Sequence, residues 1–343
     1  MKALVLENYN ELVYKDVPEP EVLPGEVLVR IKACGICGSD VHGLDGSTGR
    51  RIPPLIMGHE ASGVIVSTGR GVTEWKTGDR VTFDSTVYPL NDWYTLEGRY
   101  NISDNREVIG VSTDDYRRNG AFAEFLAVPQ HILYRIPDSV SFEEAAMVEA
   151  AAVALHAVNL ASVKTGNACV VTGAGMIGSF LIRLLKIAGA GQVIALDNNP
   201  VKLENAKKRG ADHVFDTSGT DPVEIIKNLT KMRGADVSFE AVGKSETVNL
   251  AIASARKGGT VVLAGNTSKT IEFPLQKVVT SELKILGSCA IRGEYDAILI
   301  LMNDGRLDVS DMISAVVPLS EGAEWFRKLY NNEGDLIKVI LVP

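Results

Sequence analysis

The length, composition and charge of the chain exclude several classes of protein. It has 343 residues, 45% hydrophobic and 23% charged, a balance typical of globular domains that bury a core without disulfide bonds. The formal net charge of -8 argues against nucleic acid or an anionic membrane as a partner, because both attract clustered Lys and Arg. Length predicts about two domains.

The cysteines are too few and too scattered to staple so long a chain, and they are typical of a protein in a reducing cytosol. They are Cys34, Cys37, Cys169 and Cys289. The first residues lack the apolar stretch of a signal peptide, and we find no run of about 18 apolar residues that would predict a membrane span. We therefore expect a cytoplasmic protein.

The first part of the chain is predicted to be rich in β-strands. Residues 26–31 alternate apolar and polar side chains, and 63–66 and 79–83 have the composition of further short strands. Residues 84–118 are polar and lack periodicity, which predicts an excursion from the core.

The pattern changes near residue 141. Ser141 and Glu144 form a capping box, and the Ala-rich run from Ala145 to Ala157 predicts a helix after it. Strands and helices then alternate, which predicts βαβ units and a parallel sheet. The predicted strands are 168–172, 192–197, 235–239, 260–264, 284–287 and 338–342, and the predicted helices are 176–188, 200–210, 295–303 and 322–329.

A strand that runs into a helix through the pattern G-x-G-x-x-G is typical of a dinucleotide-binding turn. Gly173 allows the tight turn, Gly175 lets the backbone approach a pyrophosphate, and Gly178 permits close helix–strand packing. Met176 and Ile177 open the helix, whose free N–H groups would face the phosphates. The alternative is a Gly-rich turn with no ligand.

The second predicted strand ends in an acid that bears on the choice of cofactor. Asp197 lies about 20 residues after the turn, where a carboxylate accepts hydrogen bonds from the adenosine ribose and repels a 2′-phosphate. It favours NAD over NADP, although Lys202 is close enough to meet a phosphate. The turns after later strands are predicted to line the nicotinamide through Val242, Leu263, Gly265 and Ser288.

Cysteine and histidine in the first part of the chain have the spacing of metal ligands. Cys34 and Cys37 could be half of a zinc knuckle or a redox pair, but a second C-x-x-C and a thioredoxin-like context are both missing. Cys37 with His59 is the better interpretation, with one or two carboxylates completing the set. Catalytic zinc usually keeps three protein ligands and one open position.

The stretch from Gly58 to Gly63, continuing to Gly69 and Val72, resembles the zinc signature of medium-chain alcohol dehydrogenases, and the likeness covers essentially the whole chain. Residues 37–42 and 148–157 are similar to the polyol dehydrogenase branch, which includes sorbitol and iditol dehydrogenases. The resemblance implies an α/β fold, with a GroES-like β-rich catalytic domain of residues 1–150 with 290–343. It also implies an inserted Rossmann domain of residues 151–289, which binds NAD on a doubly wound parallel sheet.

Site residues follow from this resemblance position by position. Cys37 and His59 match zinc ligands, and Glu60 matches a carboxylate that ligates zinc or lies just behind it. Glu149 falls where polyol dehydrogenases have a glutamate and simple alcohol dehydrogenases a cysteine, so it would reach the metal directly or through water. The family usually has Pro in the next position, where this chain has Ala150.

The resemblance also implies the reaction. Zinc acts as a Lewis acid on the hydroxyl of a secondary alcohol, and hydride passes to the nicotinamide of NAD. Ser39 matches the hydroxyl that relays the released proton, and His42 either extends this relay towards solvent or is a partly exposed packing residue.

The chain departs from the family at the structural zinc site. Pro89, Asp92, Thr95 and Ser103 stand where four cysteines usually bind a second zinc, whereas Gly98, Asn101 and Ile102 keep the register. We expect one zinc per subunit, because these side chains cannot replace four thiolates. The lobe would then be held by other means, such as packing of Trp93, Tyr94 and Tyr100 within it or against a neighbouring subunit.

Other functions remain open at this point. A threonine-type amino-alcohol dehydrogenase shares the scaffold, but it usually has Thr at position 39 and Asp at position 149. A non-catalytic NAD-binding protein or a zinc-free quinone reductase would not need the metal residues. The family forms homodimers and homotetramers, so a homo-oligomer is expected.

Overall fold

The computed structural model describes residues 1–219 and 221–343 and divides them into two compact units. Unit 1 contains Met1–Glu149 and Ile291–Pro343, and unit 2 contains Ala150–Ala290. The two ends of the chain therefore fold together in unit 1. None of the helices in the described ranges has the length and apolar character that a membrane crossing needs.

The elements follow one another along the chain in three stretches. The strands of the first stretch are β1 (Lys2–Asn8), β2 (Glu11–Asp16), β3 (Glu26–Gly35), β4 (Leu55–Ile56), β5 (Glu60–Thr68), β6 (Arg80–Phe83), β7 (Thr86–Val87), β8 (Glu107–Val108), β9 (Val111–Ser112), β10 (Arg117–Arg118), β11 (Phe125–Pro129) and β12 (Leu133–Arg135). Its helices are α1 (Gly38–Gly43), α2 (Trp93–Leu96), α3 (Phe142–Ala145) and α4 (Val148–Ala161), the last of which runs into unit 2.

The second stretch is unit 2, and the third returns the chain to unit 1. Unit 2 contains β13 (Ala168–Thr172), α5 (Met176–Ile187), β14 (Gln192–Asp197), α6 (Pro200–Lys208), β15 (His213–Asp216), α7 (Val223–Leu229), β16 (Ala235–Glu240), α8 (Ser245–Ser254), β17 (Ala255–Leu263), α9 (Leu275–Thr280) and β18 (Lys284–Gly287). The third stretch contains α10 (Tyr295–Asn303), β19 (Ile313–Pro318), α11 (Gly322–Tyr330) and β20 (Lys338–Val342).

Unit 1 is built on a mainly antiparallel sheet. Its strand order in the described residues is β12-β6-β5-β3-β20-β19, and β11 also pairs with β3. Along β3 the apolar Val27, Val29 and Ile31 are buried whereas Arg30 is exposed, so one face of the strand packs on the core. Hydrophobic burial on this face stabilises the unit.

Strand register in unit 1 places distant parts of the chain side by side. Gly35 at the end of β3 pairs with Glu60 at the start of β5, and Ile340 of β20 pairs with Gly35 from the other side. Cys37 follows the end of β3, and His59 directly precedes β5. The sheet therefore brings together the two chain segments that carry these side chains.

Unit 2 is a parallel sheet with strand order β15-β14-β13-β16-β17-β18. Strands β13, β14 and β16 are buried along most of their length, as expected for parallel strands covered on both faces. The strand order reverses between β13 and β16, and such a switch point is where open parallel sheets bind ligands. The predicted fold class, a β-rich GroES-like part with a Rossmann-type parallel sheet, is confirmed.

The prediction of a single Ala-rich helix after Ser141 is wrong, because the structure has two helices there. Ser141 forms the predicted capping box with Glu144, but α3 ends at Ala145 and α4 begins only at Val148. The Phe142 carbonyl accepts a hydrogen bond from the Ser62 hydroxyl at 2.6 Å, and the Met147 N–H turns back to the Glu144 carbonyl at 2.9 Å. The Ala146 N–H still bonds to the Phe142 carbonyl, so α3 ends in the tight turn that the Met147 bond makes, and α4 begins after it.

Candidate functional site

Three potential metal ligands come together in unit 1. Donor atoms of Cys37, His59 and Glu60 all lie within 4.8 Å of one another. His59 and Glu60 are buried, and Cys37 is half-buried at the N-cap of α1. A thiol, an imidazole and a carboxylate at this spacing are the donor set of a zinc site with an open position. The structure brings together three of the four residues predicted as ligands.

The fourth predicted ligand, Glu149, is not part of this close group among the described residues. It lies within electrostatic range of the group, because charges on His59, Glu60 and Cys37 act on it. Burial is the main cause that raises the pKa of Glu149, and a nearby divalent cation would favour its charged form. Its role as a ligand that reaches the metal directly or through water stays a prediction.

Cys37 can bind a cation only when its sulfur is deprotonated to the thiolate. Burial raises the pKa of Cys37 to about 12, with the charge of Glu60 adding to the effect. The Ser39 backbone N–H and hydroxyl both donate to the Cys37 sulfur, at 3.4 and 3.2 Å. Metal binding at such a buried thiol releases its proton, so the donor set fits a divalent ion that compensates the negative charge.

A buried carboxylate lies behind His59. Asp40 Oδ2 is 3.5 Å from His59 Nδ1, and neither atom has a hydrogen-bond partner in the described residues. This arrangement leaves Nε2 of the ring for a metal, because a carboxylate beside one ring nitrogen orients the other. The second carboxylate oxygen of Asp40 accepts hydrogen bonds from Arg51, which is also buried.

Glu60 is held by a lysine from the last strand. Lys338 Nζ donates to Glu60 Oε2 and, at 3.1 Å, to the Ile36 carbonyl. Burial works against the charge on Lys338, but Glu60, followed by Cys37, raises its pKa overall. A Cβ at Gly35 would lie 2.5 Å from Glu60 Oε2 and 3.2 Å from Lys338 Cδ, so glycine makes room for this pair.

The two predicted relay residues differ in their surroundings. The Ser39 hydroxyl contacts both the Cys37 sulfur and the Arg51 guanidinium, so it belongs to the metal-ligand cluster. His42 is exposed in the last turn of α1, and its carbonyl accepts a hydrogen bond from the Ser47 hydroxyl. An exposed ring suits either of its two predicted roles.

In unit 2 the glycine turn has the form that a pyrophosphate needs. Gly173 adopts a φ of 95°, and a Cβ there would lie 2.5 Å from Val242 Cγ2. A Cβ at Gly178 would lie 1.8 Å from the Gly173 carbonyl oxygen, which forbids a side chain at the helix–strand contact. Gly175, by contrast, faces open space directly before Met176, where α5 begins. Ile177, also predicted here, is in the first turn of α5.

Asp197 ends β14 beside this turn, as predicted, but its oxygens have partners that the sequence did not reveal. Oδ2 accepts the Ala174 N–H at 2.8 Å, and Oδ1 accepts the Asn199 N–H at 2.9 Å. A carboxylate offers about four lone pairs, so these bonds orient the group and leave capacity for a ribose. Lys202 lies on the exposed side of the first turn of α6.

The predicted nicotinamide loops meet at the carboxyl ends of β16, β17 and β18. A Cβ at Gly265 would lie 2.4 Å from the Val242 backbone, and the Ser288 N–H donates to the Leu263 carbonyl at 2.9 Å. Glu240, fully buried at the end of β16, accepts the N–H groups of Val242 and Gly243 at 2.8 Å each. All four predicted loop residues are therefore in one cluster.

Comparison with known proteins gives matches over both parts of the chain. The alcohol dehydrogenase GroES-like domain matches residues 23–138, and the zinc-binding dehydrogenase domain matches residues 177–304. Sorbitol dehydrogenase of Bacillus subtilis (strain 168) is 32% identical over 100% of this chain and 97% of its own length. D-xylulose reductase of Saccharomyces cerevisiae (strain ATCC 204508 / S288c) is 32% identical over 99% and 97%.

A solved structure shows the same fold over the whole length. It is a protein of Sinorhizobium meliloti 1021 described as a zinc-binding dehydrogenase and bound to NADP. It is 31% identical, covers 100% of this chain and 99% of its own, and superposes with a TM-score of 0.90.

The chain belongs to the zinc-dependent medium-chain dehydrogenases, in the polyol dehydrogenase family. It is therefore an oxidoreductase, as the resemblance predicted. Membership confirms the association with zinc and a nicotinamide cofactor, and it removes the reason to consider a non-catalytic protein on the same fold.

The lobe of this dehydrogenase in which the resemblance implied four cysteines is joined by hydrogen bonds. Asp92 caps α2 by accepting the Thr95 N–H at 2.7 Å, and the Ser103 hydroxyl donates to the other Asp92 oxygen. Tyr100 stacks on Tyr88 with ring centroids 4.1 Å apart. Trp93 is 65% exposed, and its ring contacts that of Tyr94 edge-on, with centroids 4.9 Å apart.

Sequence reasoning missed three residues of the site. Lys338 is buried beside the predicted ligand Glu60, and Arg51 is buried against Asp40 and Ser39. Glu240 organises the predicted nicotinamide loops. Asp40 lies between Cys37 and His42 in the same motif. An Asp directly beside the predicted ligands was the one signal that could have predicted a buried cationic partner.

Proposed function

We infer that this dehydrogenase uses zinc and NAD to oxidise a secondary alcohol group of a polyol to the ketone, most simply a sugar alcohol to a ketose. The observation that carries the proposal is the group of Cys37, His59 and Glu60 in a chain that matches sorbitol dehydrogenase and D-xylulose reductase over nearly its full length. The names of those relatives support a polyol as the substrate.

The metal would be held by Cys37, His59 and a carboxylate from Glu60 or Glu149. Zinc bound there supplies Lewis acidity, which lowers the pKa of an alcohol hydroxyl. A carboxylate in place of a second thiolate makes the donor set harder and more open to water. We expect one ion per subunit, since the lobe has Asp92, Thr95 and Ser103 in three of the positions where relatives have thiolates.

We assign proton transfer to the hydroxyl group of Ser39. Ser39 lies beside Cys37 and can exchange a proton with a substrate oxygen that approaches the cluster. Asp40 keeps the His59 ring oriented throughout the reaction, and Lys338 keeps Glu60 paired. His42 is the candidate exit for the proton because it is exposed on the same helix.

NAD is the proposed cofactor. Asp197 supports NAD over NADP, because a carboxylate next to the adenosine ribose repels a 2′-phosphate. Gly175 and the N-terminus of α5 would take the pyrophosphate, and Val242, Leu263, Gly265 and Ser288 would line the nicotinamide. Lys202 could favour NADP instead, because its positive charge can meet a 2′-phosphate. One relative of known structure is bound to NADP, so both cofactors are compared in the assay below.

We also propose a homo-oligomer formed through unit 2. Among the described residues β18 ends the order of the parallel sheet, and an edge strand of this kind presents unpaired backbone groups along its outer side. The neighbouring α9 presents Leu275 and Val279, which are 64% and 65% exposed. An apolar surface beside a free sheet edge is suited to pairing with a second copy.

The cytoplasmic location stays a prediction from cysteine usage.

The proposal is tested by following NADH formation from NAD⁺ with a panel of alcohols. The panel contains polyols, phosphorylated polyols, threonine and simple alcohols, each assayed with NADP⁺ in parallel. Turnover of a polyol with NAD⁺ supports the proposal and identifies the substrate class. Turnover of threonine alone would assign the enzyme to the amino-alcohol branch instead.

A further inference from the structure

Arg51 connects two residues of the metal-ligand cluster through one buried guanidinium. Its Nε and Nη2 donate to Asp40 Oδ1 at 3.0 and 2.7 Å, and Nη2 also donates to the Ser39 hydroxyl at 3.3 Å. The side chains of Arg51 and Asp40 are 3% and 0% exposed. The guanidinium therefore contacts Asp40, which lies beside His59, and Ser39, which lies beside Cys37.

The first contact orients Asp40 towards His59. Because both donors of Arg51 bind Oδ1, the other oxygen, Oδ2, is directed at His59 Nδ1, 3.5 Å away. A fully buried carboxylate needs such a compensating cation to stay charged. The charge and the orientation of the Asp40 carboxylate, which lies behind the His59 ring, therefore depend on Arg51.

The second contact fixes the direction of the Ser39 hydroxyl. A guanidinium has only donors, so the Ser39 oxygen must accept from Arg51 and its own proton must point elsewhere. The Cys37 sulfur, 3.2 Å away, accepts that proton. Arg51 thus turns the Ser39 proton away from the guanidinium and towards the metal ligands.

The surroundings hold the guanidinium in one position. A Cβ at Gly43 would lie 2.4 Å from Arg51 Cγ, so the stem passes over a glycine that leaves space for it. The third nitrogen, Nη1, donates to the Arg50 carbonyl at 3.0 Å. A lysine would keep a positive charge here, but it lacks the planar fork that contacts two acceptors in fixed directions.

We propose that Arg51 is a positioning residue of this dehydrogenase, which holds Asp40 in line with His59 and turns the Ser39 hydroxyl towards the metal ligands. The proposal deepens the proposed function and rests on it, because both contacts end at residues assigned to zinc binding and proton transfer. The Asp40 contact governs zinc affinity, and the Ser39 contact governs kcat.

The test uses Arg51→Met, Arg51→Lys, Ser39→Ala and the double variant Arg51→Met/Ser39→Ala. Zinc affinity is measured by competition with a chromophoric chelator, which needs no activity, and kcat and KM are measured separately. Arg256→Met is the matched control, since Arg256 also donates through Nε to an aspartate, Asp236, at 2.7 Å but lies in unit 2. We expect the control to leave zinc affinity and kcat unchanged.

Removal of a group that orients metal ligands typically costs about 10–100-fold, and we expect Arg51→Met to weaken zinc binding within that range. Arg51→Lys keeps a charge beside Asp40, so its zinc affinity stays closer to that of the wild type. Both variants lower kcat, by about tenfold or more, with little change in KM for NAD⁺. In the Ser39→Ala background, Arg51→Met lowers kcat by less than about twofold, because the two residues act as one unit.

Two results would overturn the proposal. Unchanged zinc affinity in Arg51→Met excludes the Asp40 contact as a determinant of the metal site. An equal loss of kcat with and without the Ser39 hydroxyl excludes the Ser39 contact. If Arg51→Met fails to fold, Arg51→Lys alone and combined with Ser39→Ala gives the same cycle. A wild-type protein that binds no zinc contradicts the proposed function itself, which separates that failure from failure of the Arg51 proposal.

Discussion

Lys338 and Glu60 form an ion pair in which the two side chains are only 2% and 1% exposed. Removal of one partner from a buried pair leaves an uncompensated charge, which costs about 3–5 kcal/mol. We expect Lys338→Met to lower the free energy of unfolding by an amount in that range, measured by urea denaturation. Lys208→Met is the control, because the Lys208–Glu204 pair is 66% exposed on each side and such pairs contribute about 0–1 kcal/mol. Equal effects of the two substitutions would refute the burial argument.

Replacement of Cys37 should abolish the metal site. Cys37→Ala removes the one thiol of the cluster, so we expect the purified variant to hold much less than one zinc per chain, against one for the wild type, by elemental analysis. Cys169→Ala is the matched control, since Cys169 is buried in unit 2, outside the cluster. Two zinc ions per wild-type chain would show that the cysteine-free lobe binds metal after all.

Cofactor preference should depend on the charge of Asp197. In Asp197→Ser the repulsion of a 2′-phosphate is lost, so we expect the ratio of kcat/KM for NAD⁺ to that for NADP⁺ to fall about tenfold or more. Asp197 also accepts hydrogen bonds from the Ala174 and Asn199 N–H groups, so we expect its replacement to lower kcat/KM for NAD⁺ as well. A wild-type enzyme that prefers NADP⁺ would contradict the assignment.

Stability should respond to pH through Asp84. Burial raises the pKa of Asp84 to about 6, despite hydrogen bonds from the Thr86 N–H and the Tyr100 hydroxyl and with the charge of Glu294 adding to the rise. In the unfolded chain the pKa is about 3.9, so the folded state binds more protons between these two values. The unfavourable contribution of Asp84 is therefore absent below about pH 4, grows to about pH 6 and is complete above it.

This pH dependence is measured by comparison of the wild type with Asp84→Asn. We expect the stability of the wild type relative to the variant to fall as pH rises through that window, with a slope of up to about 1.4 kcal/mol per pH unit. The charged or polar neighbours that could contribute, Tyr100, Tyr134 and Glu294, are present in both proteins. Parallel stability curves for the two proteins would show that Asp84 keeps an ordinary pKa.

Local patterns were enough to predict most of the elements of unit 2. The predicted strands 168–172, 192–197 and 284–287 have the observed bounds, because parallel strands are buried apolar runs flanked by glycine and charge. The break between α3 and α4 could not be predicted in this way. It lies where the Met147 N–H turns back to the Glu144 carbonyl, inside an Ala-rich run that favours helix throughout.

Some residues of the candidate site could be predicted from local motifs, and others could not. Cys37, His59 and Glu60 follow from one contiguous signature and one short motif, and the structure brings them together. Lys338 could not be found, since it lies 278 residues from Glu60 and begins a strand where an exposed lysine is ordinary. Its burial results from the pairing of β20 with β3, a long-range contact that no local pattern encodes.

The zinc dependence of NAD⁺ reduction by a polyol tests the central claim most directly. The enzyme is depleted with a chelator, assayed, and assayed again after stoichiometric zinc is returned, with Cys37→Ala carried through the same steps. We predict that activity on a polyol is lost on depletion and restored by zinc in the wild type, and that the variant stays inactive throughout. Full activity in the depleted wild type, or in Cys37→Ala, would contradict the assignment of Cys37, His59 and Glu60 as the metal centre of a polyol dehydrogenase.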